Sequence, residues 1–260
     1  MHSLRELKEI EEFSKSSKKQ IRKKFYQLVE DNDFFRVEQV LLKKICKVDS
    51  ASLLIAINHL QVSMTSLLLK TSETKLQQED YTKYLIYLLH ASKSCRSNMY
   101  DIIYLLLNAG ASIEGPVLHL AVNEGHTLLV EELLRRDADF NEMRNTMYGE
   151  TPLMIAGKKG YSKIIEILCA CGARDNILDG EGNNALTITT HSLDWNDTPS
   201  SLENNPGHKK SIKLLCKYGS DLDIRPRCNR YKTPIESAEQ YSHQTVIDLL
   251  RSLAQNRKDK

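Results

Sequence analysis

The chain has 260 residues, 41% hydrophobic and 27% charged, a balance that excludes general disorder and supports a substantial core. With 36 Lys and Arg against 34 Asp and Glu, the net charge of +2 excludes a molecule that binds polyanions over its whole surface, so any nucleic-acid contact must rest on a local patch. No apolar run approaches about 18 residues and the opening MHSLRELKEIEEF has no apolar signal core, so we expect a soluble, intracellular, cytoplasmic chain without membrane contact.

Leu4, Leu7, Ile10 and Phe13, set among Glu and Lys, predict a capping helix over residues 1–20. Six cations follow between Lys15 and Lys24. They form either a solvated charged helix or a nuclear-import or phosphate-contacting patch, and the lack of interleaved aromatics favours the solvated helix. From there helix pairs recur. In FYQLVEDNDFFRVEQVLLKK, Phe25, Asn32, Val37 and Val40 keep the spacing of Leu153, Gly160, Ile165 and Leu168 further on. LLIAINHLQVSMTSLLLK places Leu53, Ala56 and Leu68 in the same register. The third copy has an irregular first helix and a clear second one, marked by Ile102, Ile103, Leu106 and Gly110. Tyr81, Tyr84 and Tyr87 in that copy, with Tyr100 and Tyr104 beyond, concentrate aromatics; the three-residue recurrence is a helix-face spacing and predicts packing rather than a base-stacking platform.

Residues 116–141 place Leu118, His119, Ala121, Gly125, His126, Val130, Leu133 and Asn141 at repeat positions. The best-formed copy runs from Gly149 to Asn176. Thr151 is an N-cap with Pro152 at the first helical position, and Leu153, Ile155 and Ala156 give a short apolar face. Gly160 supplies a positive φ that ends the helix; Ile164, Ile165 and Leu168 then recur at helical spacing until Gly172. The sixth copy carries Leu186, then 14 inserted residues around LDWNDTPSSLENN, then Ile212, Leu215 and Gly219. The seventh holds Thr233, Pro234, Ala238, His243, Ile247 and Leu250, and residues 254–260 form a charged tail.

Leu118 and Leu153 lie 35 residues apart, and Leu153 and Leu186 lie 33 apart. That period, with a TPLHxA-like opening, a GH turn and an LLxxGAD-like ending, resembles the ankyrin repeat family. The match is most specific over residues 116–176, extends to about 253, and continues in register back to about 21. The resemblance implies an all-α repeat solenoid of stacked helix–turn–helix units, about seven, with short β-hairpin fingers over residues 21–253. The connection between Gly110 and Leu118 is short for the pattern, so a finger is missing and the stack breaks or bends near 111–116.

No phosphate-cradling loop, nucleophile elbow or converging catalytic set appears, so we expect neither enzymatic activity nor a cofactor. His119, His126, His208 and His243 occupy positions where the family uses histidine to bond backbone. His191, Asp194 and Asp197 lack a rigid scaffold beneath them. The six cysteines, Cys46, Cys95, Cys169, Cys171, Cys216 and Cys228, read as reduced thiols, and the C-x-C spacing does not suit zinc on a helix.

The resemblance implies a non-catalytic module that binds a protein or peptide through its concave surface, as a monomer. On that basis the finger tips hold Met147, Tyr148, Glu150, Glu181, Asn183, Arg230 and Lys232. The first helices present Asn123, Glu124, Lys158, Lys159, Gln240 and Tyr241, with Tyr148 and Tyr241 as anchors. Trp195 marks a second contact site if exposed and a staple if it folds back. The alternatives are an effector secreted by an intracellular microbe, which would work on proteins in the host cytoplasm, and a nuclear or nucleic-acid-associated protein acting through the basic N-terminal run.

Overall fold

A computed structural model describes residues 9–12, 14–71, 78–91, 97–144, 149–192, 206–225, 233–240 and 244–258 of the chain. Leu4, Leu7, Phe13, Cys95, Cys228, His243 and the tip and insert residues Met147, Tyr148, Trp195, Arg230, Lys232 and Tyr241 lie outside this set. The elements are helices in pairs. The first pairs are α1 (Lys18–Glu30) with α2 (Phe34–Leu42), α3 (Ser50–Asn58) with α4 (Val62–Thr71), and α5 (Gln78–Ala91) with α6 (Ser97–Asn108). After them come α7 (Pro116–Asn123) with α8 (Thr127–Arg135) and α9 (Pro152–Lys159) with α10 (Ser162–Ala170). The last are α11 (Ala185–His191) with α12 (Pro206–Lys217), and α13 (Pro234–Gln240) with α14 (Gln244–Lys258).

Local chemistry accounts for where several of the helices start. Thr151 Oγ1 accepts from the Met154 N–H at 3.3 Å, and Pro152 follows at the first helical position. Asp49 caps α3 through the Ser52 N–H at 3.0 Å, and Asn184 caps α11 through the Thr187 N–H at 2.8 Å. The turns inside the first, second, fourth and fifth pairs are equally regular. Their left-handed residues are Asn32 (φ 56), Leu60 (φ 51), Gly125 (φ 75) and Gly160 (φ 69), so worn copies keep the geometry without the glycine. The next N–H then reaches back to the helix: Asp33 to the Leu28 carbonyl and Gln61 to Ala56, both at 2.9 Å. His126 does the same to Ala121 at 2.9 Å and Tyr161 to Ala156 at 3.0 Å. A closed turn of this kind satisfies the orphan carbonyls of the first helix and fixes the reversal into the second.

The chain divides into two compact units, Met1–Ser112 and Ile113–Lys260. The division falls at the short connection that the spacing marked. In the first unit, Phe25, Val29, Val37, Val40, Leu53, Ala56, Leu68, Leu85 and Leu106 are buried, and α3 packs on α1, α4 and α5. Ile10 is buried beside them, and Glu9 pairs with Arg36 at 3.1 Å. In the second unit, Leu118, Ala121, Val130, Leu153, Ala156, Ile165, Leu168, Leu186, Leu215, Ala238 and Leu250 are buried, and α9 contacts α7, α10, α11 and α12. Apart from Val29 and Leu85, these are repeat positions read from the sequence. Apolar residues recurring at each pair bury one pair against the next, which two short helices cannot do alone.

Polar bonds about one repeat long tie neighbouring pairs. Gln61 Nε2 donates to the Glu30 carbonyl at 3.1 Å and Asn98 Nδ2 to the Leu60 carbonyl at 3.4 Å. Asn141 Oδ1 accepts from the Arg174 N–H at 3.1 Å, and Asn184 Nδ2 donates to the Asp221 carbonyl at 3.4 Å. The fingers show no strand among the described residues. Backbone bonds cross these loops: Arg144 N–H to the Glu150 carbonyl at 3.0 Å, Asp179 N–H to the Asn183 carbonyl at 2.9 Å and Gly182 N–H to the Asp179 carbonyl at 3.0 Å.

Candidate functional site

The candidate surface of the Ile113–Lys260 unit is a ledge formed where a finger meets the first helix of its pair. Burial of α7 positions His119, which is 1% exposed, and its Nε2 lies 2.9 Å from the Glu142 carbonyl in the finger that follows. Burial holds the His119 pKa below the usual histidine value despite that carbonyl, so the ring is neutral at pH 7 and works as a strut. Glu150, at the far side of the finger, pairs with Lys158 Nζ of α9 at 2.9 Å; the side chains are 18% and 53% exposed, which leaves the finger fastened to the helix at its rim.

On this ledge Glu124 and Lys159 are exposed, and Asn123 is half-buried with its amide on Glu124 Oε1 at 2.8 Å. Lys158 is exposed but engaged by Glu150. Glu181 is half-buried and its N–H donates to Asp179 Oδ1 at 2.9 Å. Asn183 does not belong with them. It is 2% exposed, and its N–H and side-chain amide both donate to Asp179, at 2.8 and 3.1 Å, so it shapes the finger from inside rather than presenting itself to a partner. The Gln240 backbone closes α13; its side chain, together with Met147, Tyr148, Trp195, Arg230, Lys232 and Tyr241, is outside the described residues.

Sequence reasoning missed several residues. Met143 is 44% exposed on the finger beside the ledge, and only its irregular loop context could have signalled that. The tyrosine triplet is not uniform packing: Tyr81 is 7% exposed, Tyr84 gives its hydroxyl to the Ser50 carbonyl at 2.9 Å, and Tyr87 is 48% exposed. A spacing of three residues drifts around a helix by about 60° at each step, so one triplet spans buried and open faces. In the same unit Tyr26 donates to Asp49 Oδ2 at 2.6 Å, and burial, then the Asp49 carboxylate, push the phenol up to about 12. The second helices α2, α4 and α6 line an open groove of about 790 Å³, to which Phe34, 40% exposed, Leu67 and Tyr104 contribute.

Among the described residues, the histidines at repeat positions, His119, His126 and His208, are buried. His208 sits with Nε2 3.3 Å from the Lys158 carbonyl, and burial lowers the pKa of His126. Among the described residues no group of three His, Cys, Asp or Glu is placed to hold a metal, and no helix is long and apolar enough to cross a membrane. Cys169 is buried, with its thiol pushed up to about 12 chiefly by desolvation, whereas Cys171 is exposed; the two point apart as their helical spacing requires.

Residues 118–192 match the family model described as ankyrin repeats, three copies. The NF-kappa-B p105 subunit of Gallus gallus is 39% identical over 77 residues, 28% of this chain and 8% of that protein. A putative E3 ubiquitin-protein ligase of Plasmodium falciparum is 37% identical over 81 residues, 29% of this chain and 1% of that protein. The chain thus spans a small fraction of the length of either relative.

Proposed function

We propose that this chain, which belongs to the ankyrin repeat family through residues 118–192, acts as a non-catalytic recognition module for a protein or peptide. Ankyrin repeats are in general protein–protein interaction modules. The proposed contact surface is the ledge of the second unit: Asn123, Glu124, Lys158, Lys159, Glu150 and Glu181, extended by the tip residues Met147, Tyr148, Arg230 and Lys232 and by Gln240 and Tyr241. The observation that carries the reading is the fastening of finger to helix, with His119 on the Glu142 carbonyl at 2.9 Å and Glu150 on Lys158 at 2.9 Å. A surface ordered before binding loses little entropy on binding, so modest contacts suffice for affinity. Tyr148 and Tyr241 serve as amphipathic anchors, and Glu124 and Lys159 give charge selectivity.

The test is affinity capture with the full chain and two variants, Glu124→Lys/Lys159→Glu on the ledge and Leu128→Ser on the opposite helix of the same pair. Leu128 is 63% exposed and makes the second variant a control for surface change. Partners lost with the ledge variant and kept by the control support the reading. Partners kept by both, or substrate turnover by the purified chain, overturn it.

A further inference from the structure

Helix α12 carries a second, unrelated surface. Its buried side holds Ile212, Leu215 and Cys216, and its outer side is all cation: Lys209, Lys210, Lys213 and Lys217 are exposed. At about 100° per residue the four fall within an arc of about 100°, and Lys209, Lys213 and Lys217 follow one another at about 6 Å along the axis. None of the four has an ion pair among the described residues. Several other cations of this unit do: Arg135 and Arg136 pair with Glu132, Lys163 with Glu166, Arg225 with Glu236 and Arg251 with Glu239. At the end of the ridge Tyr218 is 43% exposed, with Lys217 Nζ 5.8 Å from its ring centre.

Only Lys217, in the last turn, is favoured by the helix dipole; Lys209, Lys213 and Lys217 stand at four-residue spacing, where like charges repel. The chemistry fits an anionic ligand, and the shape narrows which one. The flanking second helices α10 and α14 balance their described cations with acids, Lys163 with Glu166 and Arg251 with Glu239, and α14 adds Asp248, so uncompensated positive charge among the described side chains follows α12 alone, a strip one helix wide, about 10 Å. A flat anionic membrane would bring those acids into contact as well; a narrow linear polyanion meets the ridge alone. Lysines are point charges suited to phosphate, lacking the fork with which arginine grips carboxylate, and lysine is depleted at protein interfaces. The exposed ring of Tyr218 adds a face on which a base can stack.

We propose that the outer face of α12 binds the sugar–phosphate backbone of single-stranded nucleic acid without regard to sequence. The site is separate from the ledge, so it stands or falls independently of the protein-recognition reading.

The experiment is fluorescence anisotropy of the full chain with a labelled oligothymidylate of about twenty nucleotides across a salt series. Four phosphate contacts give a slope of log K on log salt near −3, or about a fifty-fold loss of affinity between about 50 and about 200 mM salt. The variant Lys209→Gln/Lys210→Gln/Lys213→Gln/Lys217→Gln, checked for unchanged helicity and melting, loses most of this affinity and slope. If the fourfold variant does not fold, Lys209→Gln/Lys213→Gln alone lowers the slope by about 1.4. A control in the first unit, Lys18→Gln/Lys19→Gln/Lys23→Gln, leaves the slope in place. Absence of oligonucleotide binding, unchanged binding by the α12 variants, or loss only in the first-unit control overturns the proposal. So does tighter capture of an oligoglutamate peptide or of phosphatidylserine vesicles, lost with the same four changes.

Discussion

The imidazole of His208 lies flat against Gly160: a Cβ at that glycine would meet Nδ1 at 2.5 Å and Cε1 at 2.7 Å, while Nε2 reaches the Lys158 carbonyl at 3.3 Å. The same device recurs one pair earlier, where Tyr161 covers Gly125 with its ring carbon at 3.0 Å from the Cβ position. Glycine at this turn therefore meets two demands, a left-handed φ and room for the aromatic ring of the next pair.

Gly160→Ala is expected to destabilise by about 2–4 kcal/mol, adding a collision with a buried ring to the left-handed backbone penalty. Gly219→Ala separates the two effects, because Gly219 has φ +99 with nothing within 4 Å of the Cβ position. That change should lose only about 1–2 kcal/mol. Urea denaturation of both variants reads the difference, and equal losses would show that the ring contact contributes nothing.

Asp137 gives the opposite prediction. It adopts φ 65 at the end of the second helix of its pair, where Gly110, Gly172 and Gly219 stand in other copies, and it is exposed. Asp137→Gly relieves the left-handed strain without removing buried contacts and is expected to stabilise by about 0.5–1 kcal/mol. A rise in the urea midpoint at constant slope is the readout.

Asp175 makes stability depend on pH. It stands three residues after Gly172, at the position filled by Phe140 and Leu222 in neighbouring copies, and both of its carboxylate oxygens are buried without closing a hydrogen bond. Helices α7, α9 and α13 begin with Pro116, Pro152 and Pro234, but α11 begins with Ala185, whose N–H, with that of Leu186, faces this carboxylate. Burial dominates those donors and the Ser220 hydroxyl, with Asp221 adding repulsion, and pushes the pKa up to about 7. The folded chain thus holds a proton that the unfolded chain releases near pH 4, so stability falls as pH rises from about 4 to 7, by up to about 1.4 kcal/mol per unit. Asp175→Asn should flatten this fall and be the more stable protein above pH 7. Parallel pH profiles of the two melting curves would refute the assignment.

Asp49 joins two pairs, capping α3 through Ser52 and accepting from Tyr26 at 2.6 Å. Asp49→Ala should lower stability by about 1–2 kcal/mol through the lost cap. It should also bring Tyr26, now at about 12, down towards the ordinary tyrosine value by removing the carboxylate's share of the shift. The chain has 11 tyrosines, so the difference between the ultraviolet titrations of the two proteins reports the phenol, and curves unchanged by the substitution would rule out the contact.

Much of the fold was legible because its signals are local. Helix starts at Thr151, turns at Gly160 and Gly172, and apolar spacing from Phe25 to Leu250 all depend on backbone chemistry within a few residues, and the short link after Gly110 marked the boundary at Ser112. The proposed surface was legible only as a register: Glu124 and Lys159 are exposed, whereas Asn183 turns inward because Asp179 offers it a buried acceptor.

What the sequence by itself determined is the repeat and its period, since 3.6-residue spacing and capping residues act along the chain. The tertiary structure decided which polar side chains stay outside. The carboxylate oxygens of Asp175 are buried against the start of α11 and Ser220, a Cβ at Gly160 would collide with His208, and among the described residues the lysines of α12 have no ion pair. Each of these depends on which surface the next pair places opposite, a relation that no local spacing encodes.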